Sequence, residues 1–397
     1  MKLFFVHEQF GTVGGAEGNV KQTAHELRSR GHTVGLIHGV ISEKDEAALG
    51  QDFSAQFTLD KTNNRTQVEA ALREFGPDVI YVHKMADLEV VEALVNSDVP
   101  RVRMVHDHDM YCMRSYKYNY FSRKICTRAV SGYCVFPCGA SIARNHDHGF
   151  PIKWISYKAK KKEIQLNRQF QRLVVYSEYT KMELVRNGFP ENKIEIHVPI
   201  RKQEIGGNHS SFSDRNLILF AGQIIRGKGV DVLLEILAMV NVPFECIILG
   251  DGNHRARCEK LAAKLGLAGR VQFKGFVPQE ELKTYYLDCS LFAVSSVWPE
   301  PFGMTGPEAM HFGLPVVAFD AGGISEWLMD GHNGYLVPWM DRAAYAARIE
   351  ELLLNKQRGR EMGERGRQWV TRQYDYSKYI VDLEGMFTQV IAEAHTR

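Results

Sequence analysis

The sequence lacks an uninterrupted apolar run of the ~20 residues that a membrane-spanning helix needs. It also lacks a surplus of charge, because 49 Lys and Arg residues stand against 47 Asp and Glu residues and leave a formal net charge of +2. Without a strong overall field, attraction to nucleic acid through net charge is excluded. We therefore expect a cytoplasmic chain that is soluble or at most peripheral to a membrane, with no nucleic-acid partner.

Cysteine is scarce and odd in number, with seven residues in a chain of 397. No secretory signal is evident, so the reducing cytoplasm is favoured over a disulfide framework. Four of the seven follow the spacing C-x13-C-x7-C-x3-C, namely Cys112, Cys126, Cys134 and Cys138. Three interpretations stay open for this set. Unligated thiols are the favoured one, and the others are a structural Zn²⁺ ion held by the four thiols and an iron–sulfur cluster.

Short β-rich apolar runs alternate with helical patterns along most of the chain, and 45% apolar residues suffice for two packed cores. The first series of runs covers residues 3–6, 34–37, 79–82, 102–105 and 173–176, and a second covers 217–220, 246–249, 271–273, 291–294, 316–319 and 335–337. Such alternation is typical of parallel sheets with crossover helices. The polar stretch 201–215 is predicted to be a linker. The fold class is therefore α/β, with two domains.

Glycine-rich loops follow the first strand of each series. Residues 11–17, GTVGGAE, place Gly14 and Gly15 ahead of a predicted helix, as an anion-binding loop or a tight turn. Residues 222–229, GQIIRGKG, place Arg226 and Lys228 where cations can neutralise a diphosphate or form a solvated basic loop. Neither loop has the G-x-G-x-x-G spacing of dinucleotide enzymes, which counts against an NAD-dependent oxidoreductase.

Two carboxylates flank a turn in residues 300–310, EPFGMTGPEAM. One of them, Glu300 or Glu308, can face a sugar and the other a ribose, while backbone amides near Gly303 and Thr305 face phosphate. Taken singly, Glu300 is more typical of a surface turn and Glu308 of an N-terminal helix charge. The spacing of the two is specific only in combination.

A basic segment with aromatic residues, 153–162, carries five lysines beside Trp154 and Tyr157. A solvated helix face is the favoured prediction, because charge runs usually have that role. The alternative is contact with an anionic membrane surface or with a phosphorylated acceptor.

Together these residues resemble the motifs of family 4 retaining glycosyltransferases, which have the GT-B fold. Within residues 218–337, Glu300 and Glu308 match the family's E-x7-E motif and Lys228 matches its diphosphate-binding lysine. Gln223 stands where the family commonly has an arginine, and we expect Arg226 to take that role. Further likenesses are the turn at Gly250, the segment 275–277, the turn 321–326, the loop with Gly14 and Gly15, and His106 at the position of the family's active-site histidine.

The resemblance implies a GT-B architecture with three parts. A Rossmann-like acceptor-binding domain would span residues 1–203, a Rossmann-like nucleotide-sugar-binding domain 214–375, and a C-terminal helix over 376–397 would cross back to the first domain. The cleft of the two domains would hold the site, with His106 and Glu300 as catalytic residues. The implied sugar-donor site comprises Gly14, Gly15, Gln223, Arg226, Lys228, Gly250, Val277, Glu300, Phe302, Gly303, Met304, Thr305 and Glu308.

The resemblance also implies a reaction. A sugar would pass from a UDP- or GDP-type nucleotide to a glycan or lipid-linked acceptor hydroxyl, with retention at the anomeric carbon and without an obligatory cofactor or metal ion. Cell-surface polysaccharide or glycolipid synthesis, with peripheral contact at the inner face of the membrane, is the family-level expectation. The alternatives are a sugar phosphorylase or other GT-B enzyme, and a non-catalytic subunit that binds a sugar nucleotide.

Overall fold

The computed structural model describes residues 1–8, 15–39, 52–60, 62–144, 152–200 and 216–396. The chain forms two compact units. The first unit comprises Met1–Tyr116, Thr127–Pro199 and Ser377–Arg397, and the second comprises Lys117–Cys126 and Ile200–Tyr376. The predicted linker 201–215 and Gly14 lie outside the described residues.

The described residues of the first unit contain a parallel sheet of seven strands and a small antiparallel hairpin. In chain order the strands are β1 (Lys2–His7), β2 (Thr33–Gly39), β3 (Ala55–Leu59), β4 (Val79–Val82), β5 (Arg101–Met104), β6 (Ile142–Arg144), β7 (Ile152–Trp154), β8 (Arg172–Val175) and β9 (Ile194–Ile196). The sheet order is β3-β2-β1-β4-β5-β8-β9, and β6 pairs with β7. Because β4 lies on the other side of β1 from β2, the order reverses at β1, where parallel sheets usually bind ligands beyond their carboxyl ends.

Except for the four-residue Gly132–Val135, which has no buried residue, the helices of the first unit bury apolar side chains in its core. They are Gly15–Ser29, Asn64–Phe75, Leu88–Asn96, Gly132–Val135, Tyr157–Asn167, Glu178–Arg186 and, at the end of the chain, Tyr376–His395. Asn64–Phe75 shows the pattern, because Val68, Ala71 and Phe75 recur at helical spacing and are buried. The Asn63 side chain accepts a hydrogen bond from Thr66 N at its start, and a left-handed Gly76 ends it.

The last helix joins the first unit from Ser377 onward. Its Glu384 carboxylate accepts hydrogen bonds from the Arg30 guanidinium at 2.8 and 2.9 Å and lies 2.7 Å from His32 Nε2. Phe387 packs edge to face on Tyr81 of β4. A structural role for this helix in the first unit follows from these contacts.

The second unit repeats the architecture. Within residues 216–376 six strands form a parallel sheet, namely β10 (Leu217–Ala221), β11 (Glu245–Leu249), β12 (Val271–Gly275), β13 (Leu291–Val294), β14 (Val316–Phe319) and β15 (Gly334–Val337). The order is β12-β11-β10-β13-β14-β15, so it reverses at β10. The helices of this unit are Val230–Leu237, Arg255–Lys264, Gln279–Asp288, Thr305–His311, Arg342–Leu354 and Lys356–Gln373. Among the described residues, no helix is long and apolar enough to cross a membrane.

Candidate active site

A lysine and a glutamate meet at the point where the second sheet reverses its strand order. Lys228 follows β10 and Glu300 follows β13, and the lysine Nζ lies 2.7 and 3.0 Å from the two carboxylate oxygens of Glu300. Glu300 is only 3% exposed, whereas the Lys228 side chain keeps 24% of its surface. The cation therefore reaches the solvent side of an almost fully buried carboxylate.

Two further side chains donate hydrogen bonds to the Glu300 carboxylate. The Ser296 hydroxyl and the Trp298 indole, whose Nε1 lies at 2.8 Å, both donate to Oε1. Burial works to raise the pKa of Glu300, but the Lys228 charge and the three donors outweigh it and hold that pKa below its usual value. Glu300 is thus an oriented, ionised carboxylate whose oxygens are already engaged.

The backbone of the 222–229 loop explains why Lys228 reaches Glu300. The Gly227 carbonyl accepts from Val297 N at 2.8 Å and from Trp298 N at 3.1 Å, so the loop packs on the segment that leaves β13. Gly229 has φ +67°, and a Cβ there would lie 2.1 Å from the carbonyl oxygen of Ser295. Only glycine fits this position, which ties the GQIIRGKG motif to the carboxylate motif.

A second turn fixes the backbone of Glu300. Its N–H donates to Ala321 O at 3.0 Å, and its carbonyl accepts from Gly323 N at 2.8 Å. Gly322 has φ +73°, and a Cβ there would lie 2.3 Å from the Glu300 carbonyl oxygen. The 321–326 turn that the resemblance singled out is therefore a support for Glu300.

The residues after Glu300 differ in burial, since some pack in the core and others are partly exposed. Phe302 is 2% exposed, and its carbonyl accepts from the Trp327 indole at 2.6 Å, so its side chain belongs to the core. Met304 precedes the helix Thr305–His311, and Glu308 is half-buried in its first turn. Burial, and next the charge of Glu308, raise the pKa of Tyr286 well above its ordinary value.

The remaining predicted sugar-donor residues of this unit lie around neighbouring strand ends. Gly250 follows β11 and donates its N–H to Gly275 O at 2.7 Å, and Val277 is half-buried two residues beyond β12. Gln223 is exposed after β10. Arg226 is half-buried, with its guanidinium carbon 4.5 Å from the centre of the Tyr120 ring. Gly15 begins the helix Gly15–Ser29 of the first unit.

His106 lies in the first unit, within a chain of hydrogen-bonded rings. Its Nδ1 lies 2.7 Å from the Tyr176 hydroxyl, and its Nε2 lies 3.1 Å from Nδ1 of His83. Burial is the largest cause that holds the pKa values of His106 and His83 well below the ordinary histidine value. Both imidazoles are therefore neutral at physiological pH.

Charged residues surround these neutral, hydrogen-bonded rings. Lys84 Nζ lies 3.0 Å from an Asp107 carboxylate oxygen, and the Arg103 guanidinium donates to Met85 O at 2.8 Å. Burial, followed by the charge of Asp107, raises the pKa of Asp109 to about 6. A small polar pocket is lined by His83, Lys84, Arg103, Met104, Val105, His106, Asp109 and Met110.

Sequence reasoning missed several of these side chains. In the second unit they are Ser296 and Trp298, and in the first they are His83, Lys84, Asp107, Asp109 and Tyr176. A usable signal existed for His83, because it directly follows β4, the sheet neighbour of β5, and the carboxyl ends of adjacent parallel strands lie together.

The structure does not bring the four clustered cysteines together. Among the described residues, no three His, Cys, Asp or Glu side chains converge in a way that would hold a metal ion. Cys112, Cys134 and Cys138 belong to the first unit and Cys126 to the second, and all four are half-buried cysteines outside any disulfide. Cys126 N donates to Lys117 O at 2.7 Å, and Cys134 lies in the short helix Gly132–Val135. The three interpretations of these cysteines, unligated thiols, a structural zinc ion and an iron–sulfur cluster, stay predictions.

The predicted basic segment 153–162 is split between two elements. Lys153 and Trp154 end the β6–β7 hairpin, with Trp154 78% exposed, and the later lysines lie on the helix Tyr157–Asn167. Lys160 bonds to Glu163 and to Asp109 O, both at 2.5 Å, and Lys162 pairs with Glu92 at 2.9 Å. Only part of the run is therefore a solvated helix face.

Comparison with known families covers most of the chain. The family model described as Glycosyltransferase Family 4 matches residues 13–197, and the model described as Glycosyl transferases group 1 matches residues 201–369. The second match contains the Lys228–Glu300 pair, and the first contains the ring chain around His106.

Two curated relatives align with part of this chain. The lipopolysaccharide core biosynthesis glycosyltransferase LpsE of Rhizobium meliloti is 30% identical over 163 residues, 41% of this chain and 46% of the relative. The GDP-mannose-dependent alpha-(1-6)-phosphatidylinositol monomannoside mannosyltransferase of Mycolicibacterium smegmatis is 30% identical over 165 residues, 39% of this chain and 43% of the relative. The chain thus spans less than half the length of each.

A solved structure resembles the whole chain. The crystal structure of Anabaena Alr3699/HepE in complex with UDP and glucose has a TM-score of 0.75 at 19% identity and covers 98% of this chain and 100% of its own. At this identity the likeness defines the fold.

Proposed function

Because the chain belongs to the family 4 glycosyltransferases, we propose that it transfers a sugar from a nucleotide diphosphate to an acceptor hydroxyl with retention at the anomeric carbon. The observation that carries this proposal is the Lys228–Glu300 pair at the reversal point of the second sheet. There a cation and an oriented carboxylate stand side by side, as a diphosphate and its sugar require.

Lys228 has the central role toward the diphosphate. Two of its three N–H bonds are accounted for by the Glu300 oxygens, so one N–H remains to donate to a phosphate oxygen. Arg226, two residues earlier on the same loop, supplies a second cation in place of the arginine that Gln223 replaces. The backbone amides at Gly303, Met304 and Thr305 complete the phosphate contacts from the second unit. These contacts stabilise the charge that grows as the sugar leaves.

Glu300 orients the sugar hydroxyls and does not attack the anomeric carbon. Its carboxylate already accepts hydrogen bonds from Lys228, Ser296 and Trp298, which makes it a weak nucleophile but a rigid acceptor for sugar O–H groups. In the proposed step the departing diphosphate takes the acceptor proton on the face from which it leaves, through an oxocarbenium-like transition state. Retention follows from that geometry.

The other roles are divided between the two units. In the second unit Glu308 holds the ribose, while Gly250 and Val277 lie at the nucleobase side. In the first unit the neutral His106 lines the acceptor side near the sugar, where an imidazole can accept or donate a hydrogen bond without adding charge. Charge neutralisation of the diphosphate rests on protein cations, so we expect turnover to persist in excess chelator.

The base of the sugar nucleotide is proposed to be uracil or guanine. The M. smegmatis relative is GDP-mannose-dependent by name, and the Anabaena structure holds UDP and glucose. Backbone contacts at 275–277 would select between these bases. A thermal-shift screen with UDP, GDP, ADP and their sugars would identify the base, because a ligand that binds only the folded state raises its stability.

The acceptor is proposed to be a glycan or a lipid-linked sugar presented at a membrane. Phe136 is 84% exposed and Trp154 78% exposed, and Lys153 adjoins Trp154. Exposed aromatic rings, one of them next to a lysine, suit the interfacial region of an anionic bilayer. Co-flotation with vesicles that contain phosphatidylglycerol, lost in a Phe136→Ser/Trp154→Ser variant and absent with neutral vesicles, would support this contact.

Calorimetric titration with UDP and GDP, followed by a turnover assay with the corresponding sugar nucleotides, tests the proposal. Binding with sugar release is the expected result. Binding without release, to water or to any acceptor glycan, would indicate a non-catalytic subunit, and phosphate-dependent release of a sugar 1-phosphate would indicate a phosphorylase.

A further inference from the structure

Ten residues that follow the His106 region in the chain belong structurally to the second unit. This segment, Lys117–Cys126, is called the strap here. Its ends are tied by Cys126 N donating to Lys117 O at 2.7 Å, and its tip is closed by Asn119, whose side chain accepts from Phe121 N and Ser122 N at 3.0 and 2.9 Å. The strap is therefore a closed loop with a defined tip.

An ion pair anchors the tip of the strap to the second unit. The Arg123 guanidinium binds both carboxylate oxygens of Asp231, in the first turn of the helix Val230–Leu237, with Nη1 to Oδ1 at 3.3 Å. His254 Nε2 lies 3.5 Å from the same carboxylate. Burial works to raise the pKa of Asp231, but hydrogen bonding and charge from Arg123 outweigh it and hold the pKa below its ordinary value. A bidentate contact of this kind fixes orientation as well as distance.

The anchor places Tyr120 under Arg226. The Arg226 guanidinium carbon lies 4.5 Å from the centre of the Tyr120 ring, within cation–π range. The two cations of the 222–229 loop are thus held in different ways. Lys228 is paired with a carboxylate and lies over the Trp298 ring, whereas within the described part of the chain Arg226 has no ion pair and lies against the Tyr120 ring.

We propose that the strap is part of the sugar-donor site, with Tyr120 as a positioning residue for Arg226. Stacking engages the face of the guanidinium and leaves its N–H edge for a planar, two-point contact with phosphate oxygens. The Arg123–Asp231 pair fixes the position of the Tyr120 ring, and the ring in turn fixes the position of the Arg226 guanidinium. This inference rests on the proposed function, because it takes the diphosphate as the ligand of the loop.

The test compares nucleoside diphosphate binding by three variants of the full chain. In Tyr120→Ala the arginine loses its platform, so we expect the Kd for UDP or GDP, whichever the wild-type chain binds, to rise roughly 2- to 5-fold. Tyr120→Phe keeps the aromatic face and should restore wild-type affinity. Phe121→Ala removes a ring that is 83% exposed and packs edge to face on Tyr120 at 5.5 Å, so it should change the affinity far less than Tyr120→Ala.

A double-mutant cycle separates positioning from a general structural effect. In an Arg226→Ala background, Tyr120→Ala should cause no further loss, because the cation that the ring positions is gone. Equal losses of affinity in both backgrounds, or unchanged binding by Tyr120→Ala in a wild-type background, would contradict the role of Tyr120. Either result would leave the proposed function intact. Failure of the wild-type chain to bind any nucleoside diphosphate would overturn the proposed function and this inference with it.

Discussion

In each sheet, polar side chains lie beyond the carboxyl ends of the strands. They are ionised in the second sheet and neutral in the first. At the second sheet Glu300 is buried and ionised, with a cation and two neutral donors on its oxygens. At the first sheet His83 and His106 are buried and neutral, and they bond to each other and to Tyr176. Burial disfavours the charged form in both places, so the partners decide the result.

This difference matches the two halves of the proposed reaction. Charge develops on the diphosphate, so the unit proposed to bind it contains ionised groups that are already oriented. An acceptor hydroxyl has no net charge, and a neutral imidazole can bond to it without the cost of desolvating an ion. The comparison predicts that variants of the second unit mainly change turnover and nucleotide affinity. Variants of the first unit are predicted to change the pH dependence of stability.

The largest effect is expected for Glu300→Gln. The amide keeps the shape of the side chain but weakens the hydrogen bonds that orient the sugar, so kcat should fall by about 10²-fold or more. The Kd of the nucleoside diphosphate should stay within about 3-fold of the wild-type value, because its phosphate contacts remain. Turnover kinetics and calorimetry measure the two quantities.

Glu308→Gln is the matched variant for this prediction. It alters a carboxylate eight positions further on that is proposed to hold the ribose, so its main effect should appear in nucleotide affinity. If Glu300→Gln instead weakened nucleotide binding as strongly as it lowers kcat, Glu300 would be a nucleotide contact and its proposed role would be wrong.

The next effect is expected for Lys228→Met, which keeps the length of the side chain and removes its charge. The Kd for the nucleoside diphosphate should rise by about 10-fold, because a charge-assisted contact is lost. Lys260→Met is the control, since this lysine is exposed on the helix Arg255–Lys264 of the same unit. If both variants bound the nucleoside diphosphate as tightly as the wild-type chain, Lys228 would not contact the diphosphate.

The smallest effect concerns pH and the first unit. The pKa of His83 is depressed in the folded chain, so only the unfolded chain takes up this proton as the pH falls below the ordinary histidine pKa of about 6.5. The contribution of His83 to the free energy of unfolding is therefore fully present above that pH and is lost as the pH falls below it. Between about pH 7.5 and about pH 5.5 the loss is about 1.4 kcal/mol per histidine that stays neutral.

His83→Gln isolates this contribution. In urea unfolding of the first unit, the variant should lose about 1.4 kcal/mol less than the wild-type chain over the same pH interval. The raised pKa of Asp109, about 6, acts in the opposite direction, since it favours the folded chain as the pH falls, and it is common to both proteins. An identical pH dependence of the two chains would show that His83 is not held neutral.

Much of the fold could be predicted because the strands of both sheets are apolar runs. The predicted fold class, two parallel-sheet α/β domains of GT-B type, is confirmed. Each predicted run overlaps a strand, and the runs 102–105 and 173–176 extend one residue beyond theirs. Two further strands of the first sheet were missed. Ala55–Leu59 contains Gln56 and Thr58, and Ile194–Ile196 has only three residues, so neither forms an apolar run.

The site could be predicted only where its residues share a motif. Glu300 and Lys228 could be named, but not their mutual contact, because it depends on how two loops 72 residues apart pack through Gly229. The strap residue Tyr120 gave no signal, since a closed loop without strand or helix has no periodicity. The phosphate and sugar roles of these side chains stay predictions.

The central claim, retaining transfer at the second sheet, is tested most directly with water as the acceptor. The sugar nucleotide that the titrations select is incubated with the enzyme, and the freed sugar is followed by proton NMR from the first minutes, before mutarotation mixes the anomers. The predicted result is that the first sugar to appear has the anomeric configuration of the donor, and that Glu300→Gln slows its release. A first product of inverted configuration would contradict the mechanism proposed for Lys228 and Glu300.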